Sequence, residues 1–272
     1  MQLELNALFK HYWHKQNPFQ AIEQLQGEIY RSLEARKTLR FEIEGQSFFI
    51  KIHRGVGWLE IIDNLLRLRL PVLGAKNEYD AIHALEHLKI DTMTIAAYGQ
   101  KGWNPAQQQS FIITEDLINI ISLEDYCLSW KTQKPVFNFK YRLIEKVAYI
   151  SRTLHNNGIN HRDYYICHFL MDISIGRDKL TADNIKLSLI DLHRAQIRKH
   201  TPLRWRVKDI GSLYYSAMDI GLTRRDFFRF MKWYDNTSLK QCLTQNKTFW
   251  QKVEQQGQKL WQRKQRKGDA IA

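Results

Sequence analysis

Apolar and polar residues alternate in three short runs near the start of the chain, and this period of two predicts β-strands. The runs are Glu28–Arg31, Thr38–Ile43 and Ser47–His53. A Glu44-Gly45-Gln46 turn joins the last two, so we expect a three-stranded antiparallel sheet. Residues 1–26 are expected to be helical, with a break at Asn17-Pro18.

Further along the chain, apolar residues recur every three or four positions, which predicts helices. These segments are 58–70, 77–88, 139–156, 223–235 and 238–267. One further strand is predicted over Phe111–Leu117. We therefore expect an α+β fold of two lobes. The N-lobe, residues 1–117, would be a small antiparallel sheet with an insertion at 54–76, and the C-lobe, residues 118–272, would be mostly helical.

The 58–70 segment has apolar residues on one face and ends with Arg67 and Arg69. A helix of this kind can lie on an anionic membrane surface. An ordinary helix packed on the N-lobe would show the same pattern, so both interpretations stay open.

The chain has a net charge of +13 and an isoelectric point near 9.6, which indicates an anionic partner. Its three cysteines, Cys127, Cys167 and Cys242, are scattered without metal-ligand spacing, so we expect neither disulfides nor a zinc site. No signal peptide or membrane span is predicted, and a cytoplasmic protein fits best. The basic residues and aromatics do not form a nucleic-acid motif.

Two aspartates carry the predicted chemistry. Asp163 ends a His-Arg-Asp triplet, which follows a predicted long helix and the Asn157-Gly158 stop. Asp191 ends the apolar run Leu187–Ile190. This order is typical of protein-kinase-like phosphotransferases. Asp163 would accept the proton of the attacking hydroxyl, and Asp191 would hold the Mg²⁺ that bridges the ATP phosphates.

Lys51 lies among apolar neighbours on the third strand, where its charge requires an anion. We predict that it binds the ATP phosphates and pairs with Glu78, with Glu86 as the second choice. An outward-facing lysine on a half-exposed strand is the alternative. The backbone around Glu115 and Leu117 is expected to bind adenine, whereas a glycine-rich phosphate loop is not evident.

Only residues 194–208 separate His193 from Asp209, which is too short for the activation segment on which protein kinases hold a peptide. This favours a small or sugar-like acceptor. His168 stands where kinases place a magnesium-binding asparagine. Imidazole is a poor ligand for Mg²⁺, so His168 would bind phosphate or a metal-bound water, or be structural.

The motifs around residues 158–169, 190–195 and 204–206, together with 113–117, resemble the bacterial lipopolysaccharide core heptose(I) kinases. The resemblance covers nearly the whole chain. It implies a cytoplasmic enzyme, peripheral on the inner membrane, that uses ATP and Mg²⁺ to phosphorylate O4 of the first heptose of the lipopolysaccharide inner core. It places the general base on Asp163, the metal ligand on Asp191, the ATP lysine on Lys51 and its partner on Glu78.

Two alternatives remain. One is a kinase acting on protein Ser, Thr or Tyr, against which the short 194–208 segment argues. The other is a pseudokinase or basic adaptor that recruits an anionic lipid or an acidic partner such as an acyl carrier protein. An adaptor would bind its partner equally well without Lys51, whereas an enzyme would lose activity.

Overall fold

The computed structural model describes residues 1–33, 35–66 and 71–269, without the side chains of 267–269. The chain divides into two compact units. The first comprises residues 1–84 and 92–117, and the second comprises 85–91 and the chain from 118 onward. The first contains most of the β-structure and the second most of the helices, so the predicted α+β class is confirmed.

Eleven strands lie in the described residues, and we number them in chain order. They are β1 (Gln2–Leu5), β2 (Glu28–Leu33), β3 (Arg36–Ile43), β4 (Gln46–His53), β5 (Ile95–Lys101), β6 (Gln109–Glu115), β7 (Ile120–Ser122), β8 (Ile159–Asn160), β9 (Phe169–Asp172), β10 (Leu187–Leu189) and β11 (Gln196–Ile197).

Ten α-helices lie in the same residues. They are α1 (Ala7–Tyr12), α2 (Pro18–Gln24), α3 (Gly57–Leu66), α4 (Lys76–His87), α5 (Leu123–Tyr126), α6 (Phe137–Asn156), α7 (Leu203–Ser216), α8 (Arg224–Asp235), α9 (Leu239–Thr244) and α10 (Lys247–Asp269).

The first unit is built on a six-stranded antiparallel sheet in the order β1-β5-β6-β4-β3-β2. The three predicted neighbours β2, β3 and β4 are confirmed. Alternate residues of β3 and β4 are buried against α1 and α2 in an aromatic core around Phe9, Phe48 and Phe111. This packing makes the sheet a rigid support for any side chain on β4.

The helical prediction for residues 1–26 is wrong at its start, because Gln2–Leu5 forms β1 at the sheet edge. The predicted break is confirmed: Asn17 caps α2 by accepting the amide of Phe19, and Pro18 takes the first helical position. The predicted 58–70 helix is described as far as Leu66. Its residues 67–70, and Glu34 in the predicted β2–β3 turn, lie outside the described residues.

The second unit is mainly helical, and α6 carries its predicted inner face of Leu143, Val147, Ile150 and Leu154. Helices α7 and α10 approach closely at paired glycines. A Cβ on Gly211 would lie 2.5 Å from Gln256 Cγ, and one on Gly257 would lie 2.4 Å from Tyr214 Cδ1. Small residues at these crossings let α7 pack against α10.

The predicted 238–267 helix is two helices, α9 and α10. Asn246 Nδ2 and Trp250 Nε1 both donate to Asp235 Oδ2, at 2.9 and 2.8 Å, which ties the start of α10 to the end of α8. These long-range bonds redirect the chain where the helical period alone would continue.

Candidate active site

Gly158 sets the path of the chain from α6 into residues 161–168, the predicted catalytic loop. It adopts a left-handed φ of 78°, and a Cβ there would lie 1.7 Å from the carbonyl oxygen of Arg198, so only glycine fits. The Arg198 amide donates to the Gly158 carbonyl at 3.0 Å, and β8 pairs with β11. The end of β8 is therefore held in place, and His161 begins at a fixed position.

A buried carboxylate on α7 holds the next two residues. Asp209 accepts the backbone amides of His161 and Arg162, at 2.7 and 2.9 Å. Arg162 is left-handed, with a φ of 75°, a conformation that costs free energy in a side chain of this size. The two hydrogen bonds to the Asp209 carboxylate hold the backbone of His161 and Arg162 in this turn. Asp163 follows directly after the turn, so its position is set by these bonds.

The Asp163 carboxylate is oriented by a single guanidinium. Arg194 Nη1 donates to Oδ1 at 2.8 Å and to Oδ2 at 3.0 Å, and the Asp163 side chain is only 18% exposed. Arg194 lies in the 3-10 turn that immediately follows Asp191. The residue predicted as general base is therefore positioned by the segment that carries the residue predicted as metal ligand.

Asp191 lies after β10 in a left-handed conformation, with φ 63° and ψ 49°. The His193 Nδ1 donates to its Oδ1 at 2.6 Å, and His168 Nε2 lies 3.6 Å from its Oδ2. The side chain is 31% exposed, so its oxygens can also reach a ligand.

His168 joins the two predicted acids. Its Nδ1 donates to the Asp163 carbonyl oxygen at 2.7 Å, which leaves Nε2 facing Asp191. The ring stacks on His161, with centroids 5.8 Å apart and planes at 19°. His168 therefore has a structural role at least, whereas the predicted contact with phosphate stays a prediction.

His161 is buried and connects the same two segments. Its Nε2 donates to the carbonyl of Ile190 at 2.9 Å. Burial lowers the pKa of His161, so the ring is neutral at physiological pH. The loop around Asp163 and the strand end before Asp191 are thus fastened to each other by His161 as well as by His168.

The first unit contains the predicted lysine and carboxylate as a pair. Lys51 Nζ lies 2.7 Å from Glu78 Oε1, and the Glu78 side chain is buried. Lys51 lies between Ile50 and Ile52 on β4, and Glu78 lies in the first turn of α4. Glu86, the second choice, is exposed. The pairing is as predicted, and its contact with nucleotide stays a prediction.

The end of β6 carries the residues predicted to bind adenine. Glu115 pairs with Phe48 of β4, and Leu117 is the last residue of the first unit. Asp116, between them, accepts Arg40 Nε at 2.7 Å and Ser47 Oγ at 2.9 Å. These bonds fix the backbone at this strand end, while its contact with adenine stays a prediction.

Asp191 is the predicted ligand for a metal ion in this site. Within residues 1–33, 35–66 and 71–269, no group of three or more His, Cys, Asp or Glu side chains is placed to hold an ion. Magnesium is commonly bound through one or two carboxylates together with substrate phosphates. The single accessible carboxylate of Asp191 fits that mode.

Two residues that shape the site were not predicted from the sequence. In the sequence, Arg194 is a basic residue shortly after Asp191, and no local pattern predicts that it pairs with Asp163. Asp209 gave a weak signal, because it is a lone acid beside Ile210 and Leu213 on the buried face of α7 and therefore needs donors.

The comparisons with known proteins agree with this geometry. Residues 20–234 match the model of the lipopolysaccharide kinase (Kdo/WaaP) family. Two relatives are named lipopolysaccharide core heptose(I) kinase WaaP. The Pseudomonas aeruginosa protein is 48% identical over the full length of both chains, and the Escherichia coli K12 protein is 47% identical over 98% of this chain and 99% of its own.

A solved structure described as WaaP in complex with acyl carrier protein superimposes with a TM-score of 0.83 at 43% identity, covering 96% of this chain and all of that one. The extent of these matches, from end to end of the chain, leaves one assignment. The chain belongs to the lipopolysaccharide kinase (Kdo/WaaP) family.

Proposed function

We propose that this chain transfers the γ-phosphoryl group of ATP to O4 of the first heptose of the lipopolysaccharide inner core. The relatives are named heptose(I) kinases, and kinases of this family use ATP. The observation that carries the proposal is the placement of Asp163 and Asp191 on either side of His168, each held by its own hydrogen bonds.

Asp163 receives the acceptor hydroxyl. Its carboxylate accepts the hydroxyl proton and aims the oxygen at the γ-phosphorus, while Arg194 prevents the carboxylate from rotating away. A paired carboxylate is adequate for this task, because phosphoryl transfer passes through a loose transition state that depends on positioning more than on base strength.

The remaining predicted site residues bind the nucleotide. Lys51, fixed by Glu78, neutralises the α- and β-phosphates, and the backbone near Glu115 and Leu117 accepts the adenine. Asp191 would hold Mg²⁺, which would supply positive charge to the phosphoryl group being transferred. His168 then keeps Asp191 at a fixed distance from the Asp163 loop.

The segment after Asp191 supports a sugar acceptor. It consists of the 3-10 turn Leu192–Arg194, the two residues of β11 and a short connection to α7 at Leu203. This segment offers no extended platform for a peptide substrate, which argues against a protein kinase.

Peripheral contact with the inner membrane is supported by α3. Ile61 is buried, whereas α3 exposes other large apolar residues, which are Trp58, Leu59, Ile62, Leu65 and Leu66. A surface helix of this composition binds the interfacial layer of a bilayer. None of the described helices is both long and apolar enough to cross a bilayer.

An acyl carrier protein is a further proposed partner. The relative of known structure was solved with one. The second unit contains an apolar cavity of about 370 Å³, lined by residues such as Leu213, Cys242 and Val253, a size within the range of ligand pockets. The net charge of +13 complements an acidic carrier, and the cavity suits its acyl chain.

The central test is phosphate transfer from ATP to purified inner-core oligosaccharide. We expect the wild-type protein to phosphorylate heptose at O4, as read from the product linkage by NMR. Asp163→Asn should fold normally and lose about 10²- to 10⁴-fold in turnover, because the amide cannot accept the hydroxyl proton. Unchanged turnover in Asp163→Asn would assign the base to another residue. Asp183→Asn, at an exposed acid of the same unit, is the matched control.

A second prediction separates nucleotide binding from stability. Lys51→Met should abolish transfer and lower the free energy of unfolding by about 1–3 kcal/mol, because buried Glu78 loses the cation that it pairs with. Adding Glu78→Gln should recover much of that stability without restoring activity. Urea unfolding and ATP titration measure the two effects. Full transfer by Lys51→Met would contradict the predicted role of Lys51, whereas a wild-type protein that transfers no phosphate and binds its partner equally well with Lys51→Met would be an adaptor. Lys10→Met, at an exposed lysine of α1, is the control.

A third prediction concerns α3. Leu59→Glu and Leu66→Glu should each weaken binding to phosphatidylcholine vesicles containing phosphatidylglycerol about 10-fold or more, since each removes a leucine from the membrane-facing side. Binding by the wild-type protein should also weaken with salt. Leu128→Glu is the control, because Leu128 is similarly exposed in the second unit. Equal vesicle binding by all four proteins would rule out this contact.

A further inference from the structure

Four cations surround one indole ring next to the catalytic loop. The guanidinium carbons of Arg162, Arg198 and Arg204 lie 5.4, 5.9 and 5.2 Å from the centre of the Trp205 ring, and Lys208 Nζ lies at 5.3 Å. We call these four residues with Trp205 the Trp205 cluster. A single aromatic ring offers a favourable face to one or two cations, so four indicate another binding partner.

Nearby carboxylates balance this cluster only in part. In the described part of the chain, none of its four cations forms an ion pair with an acid. Within the described residues, the Arg198 guanidinium donates only to the neutral side chains of Asn160 and Gln196, each at 2.5 Å. The nearest acids are already engaged: Asp163 by Arg194, and Asp209 by the amides of His161 and Arg162.

Several buried donors of the cluster and its surroundings also point to a missing acceptor. Arg162 Nε, Trp205 Nε1 and Asn160 Nδ2 are buried without a hydrogen-bond partner among the residues described. Arg162 is 6% exposed as a residue, so solvent does little to hydrate it. Unpaired buried donors are costly, and such a site is stabilised by an acceptor that enters it.

The charges also repel one another. Burial, and then the neighbouring Arg194, lower the pKa of Arg162 and of Lys208 below their usual values. Like charges held this close in a partly buried site cost free energy until an anion enters. Arg204 is exposed and Arg198 and Lys208 are half-buried, so the cluster is open to a ligand.

The cluster adjoins Asp163, because Arg162 directly precedes it in the chain. The acids that act on Arg162 and Lys208 are Asp163 and Asp209. Asp191 instead contacts His168 and His193. An anion in the cluster would therefore lie close to the hydroxyl that Asp163 receives.

We propose that the Trp205 cluster binds a carboxylate or phosphate group of the acceptor, carried on the sugar adjacent to the one that is phosphorylated. The planar guanidinium groups match the paired oxygens of either anion. This inference rests on the proposed function, and it makes Arg204 and Lys208 specificity-determining residues. They recognise the charged neighbour and thereby select which hydroxyl reaches Asp163.

The test compares three acceptors: native inner-core oligosaccharide, the same material with its carboxyl groups reduced, and the same material treated with phosphatase. Arg204→Gln and Lys208→Gln should each raise KM for the native acceptor roughly 10- to 100-fold, the range expected for loss of a charged hydrogen bond. KM for ATP should not change. Lys179→Gln removes an exposed charge elsewhere in the second unit and should change neither constant.

The modified acceptors identify the anion. If a carboxylate is bound, carboxyl reduction should weaken wild-type recognition as much as either substitution does, and the substitutions should have no further effect on that acceptor. Phosphatase treatment gives this result if a phosphate is bound. Equal effects of the substitutions on all three acceptors, or a change confined to KM for ATP, would overturn the proposal.

Equilibrium binding keeps this test independent of the proposed function. Calorimetry of the three acceptors with wild-type protein and Lys208→Gln requires no turnover. Tighter binding of the anionic acceptor, lost in Lys208→Gln, supports the cluster even if no phosphate is transferred. Indistinguishable affinities for all three acceptors would reject it even if transfer is observed.

Discussion

The Asp209 carboxylate and the two backbone amides that it accepts are the constraint on which this site depends. The bonds to His161 and Arg162 are the anchor of a turn whose left-handed residue would otherwise relax. Because Asp209 lies on the buried face of α7, the position of the catalytic loop is determined by the packing of that helix, including its close glycine contacts with α10. Asp163 is therefore placed by the core rather than by its own loop.

From that anchor, the site is a connected set of hydrogen bonds. His168 links the Asp163 carbonyl to Asp191, and His161 links the same loop to Ile190. Arg194, three residues after Asp191, donates to the Asp163 carboxylate. Asp163 is thus held by Arg194, which follows Asp191 in the chain, and Asp191 is contacted by His168, which is bonded to the Asp163 carbonyl. Such reciprocal support suits a reaction that relies on positioning. The Lys51–Glu78 pair is built separately, on β4 and α4 of the first unit.

The sequence predicted what local periodicity determines. Strands β2 to β4, the inner face of α6 and the glycine stop at residue 158 follow from spacing and backbone preference. Strand β1 was not predicted, because its four residues are mostly exposed at a sheet edge and are too few to show a clear alternation of apolar and polar residues. The break between α9 and α10 was not predicted, because it is set by hydrogen bonds to Asp235, which lies 11 and 15 residues before its partners.

The candidate site was predictable to the same extent. Asp163, Asp191, Lys51 and Glu78 stand in recognisable motifs or in apolar settings that require a partner. Arg194, Asp209 and the cations around Trp205 acquire their roles only through contacts that the fold creates. The basic composition predicted an anionic partner, but it could not indicate that four of the charges converge on one indole beside the catalytic loop.

Amide hydrogen exchange at His161 and Arg162, followed by NMR, tests the central claim most directly. We expect both amides to exchange as slowly as those of the core strands, although they lie in a loop. Asp209→Asn, which leaves one strong acceptor oxygen, should speed exchange of at least one of them. Rapid exchange of both amides in the wild-type protein, or rates unaffected by Asp209→Asn, would contradict the claim that this carboxylate holds the catalytic loop.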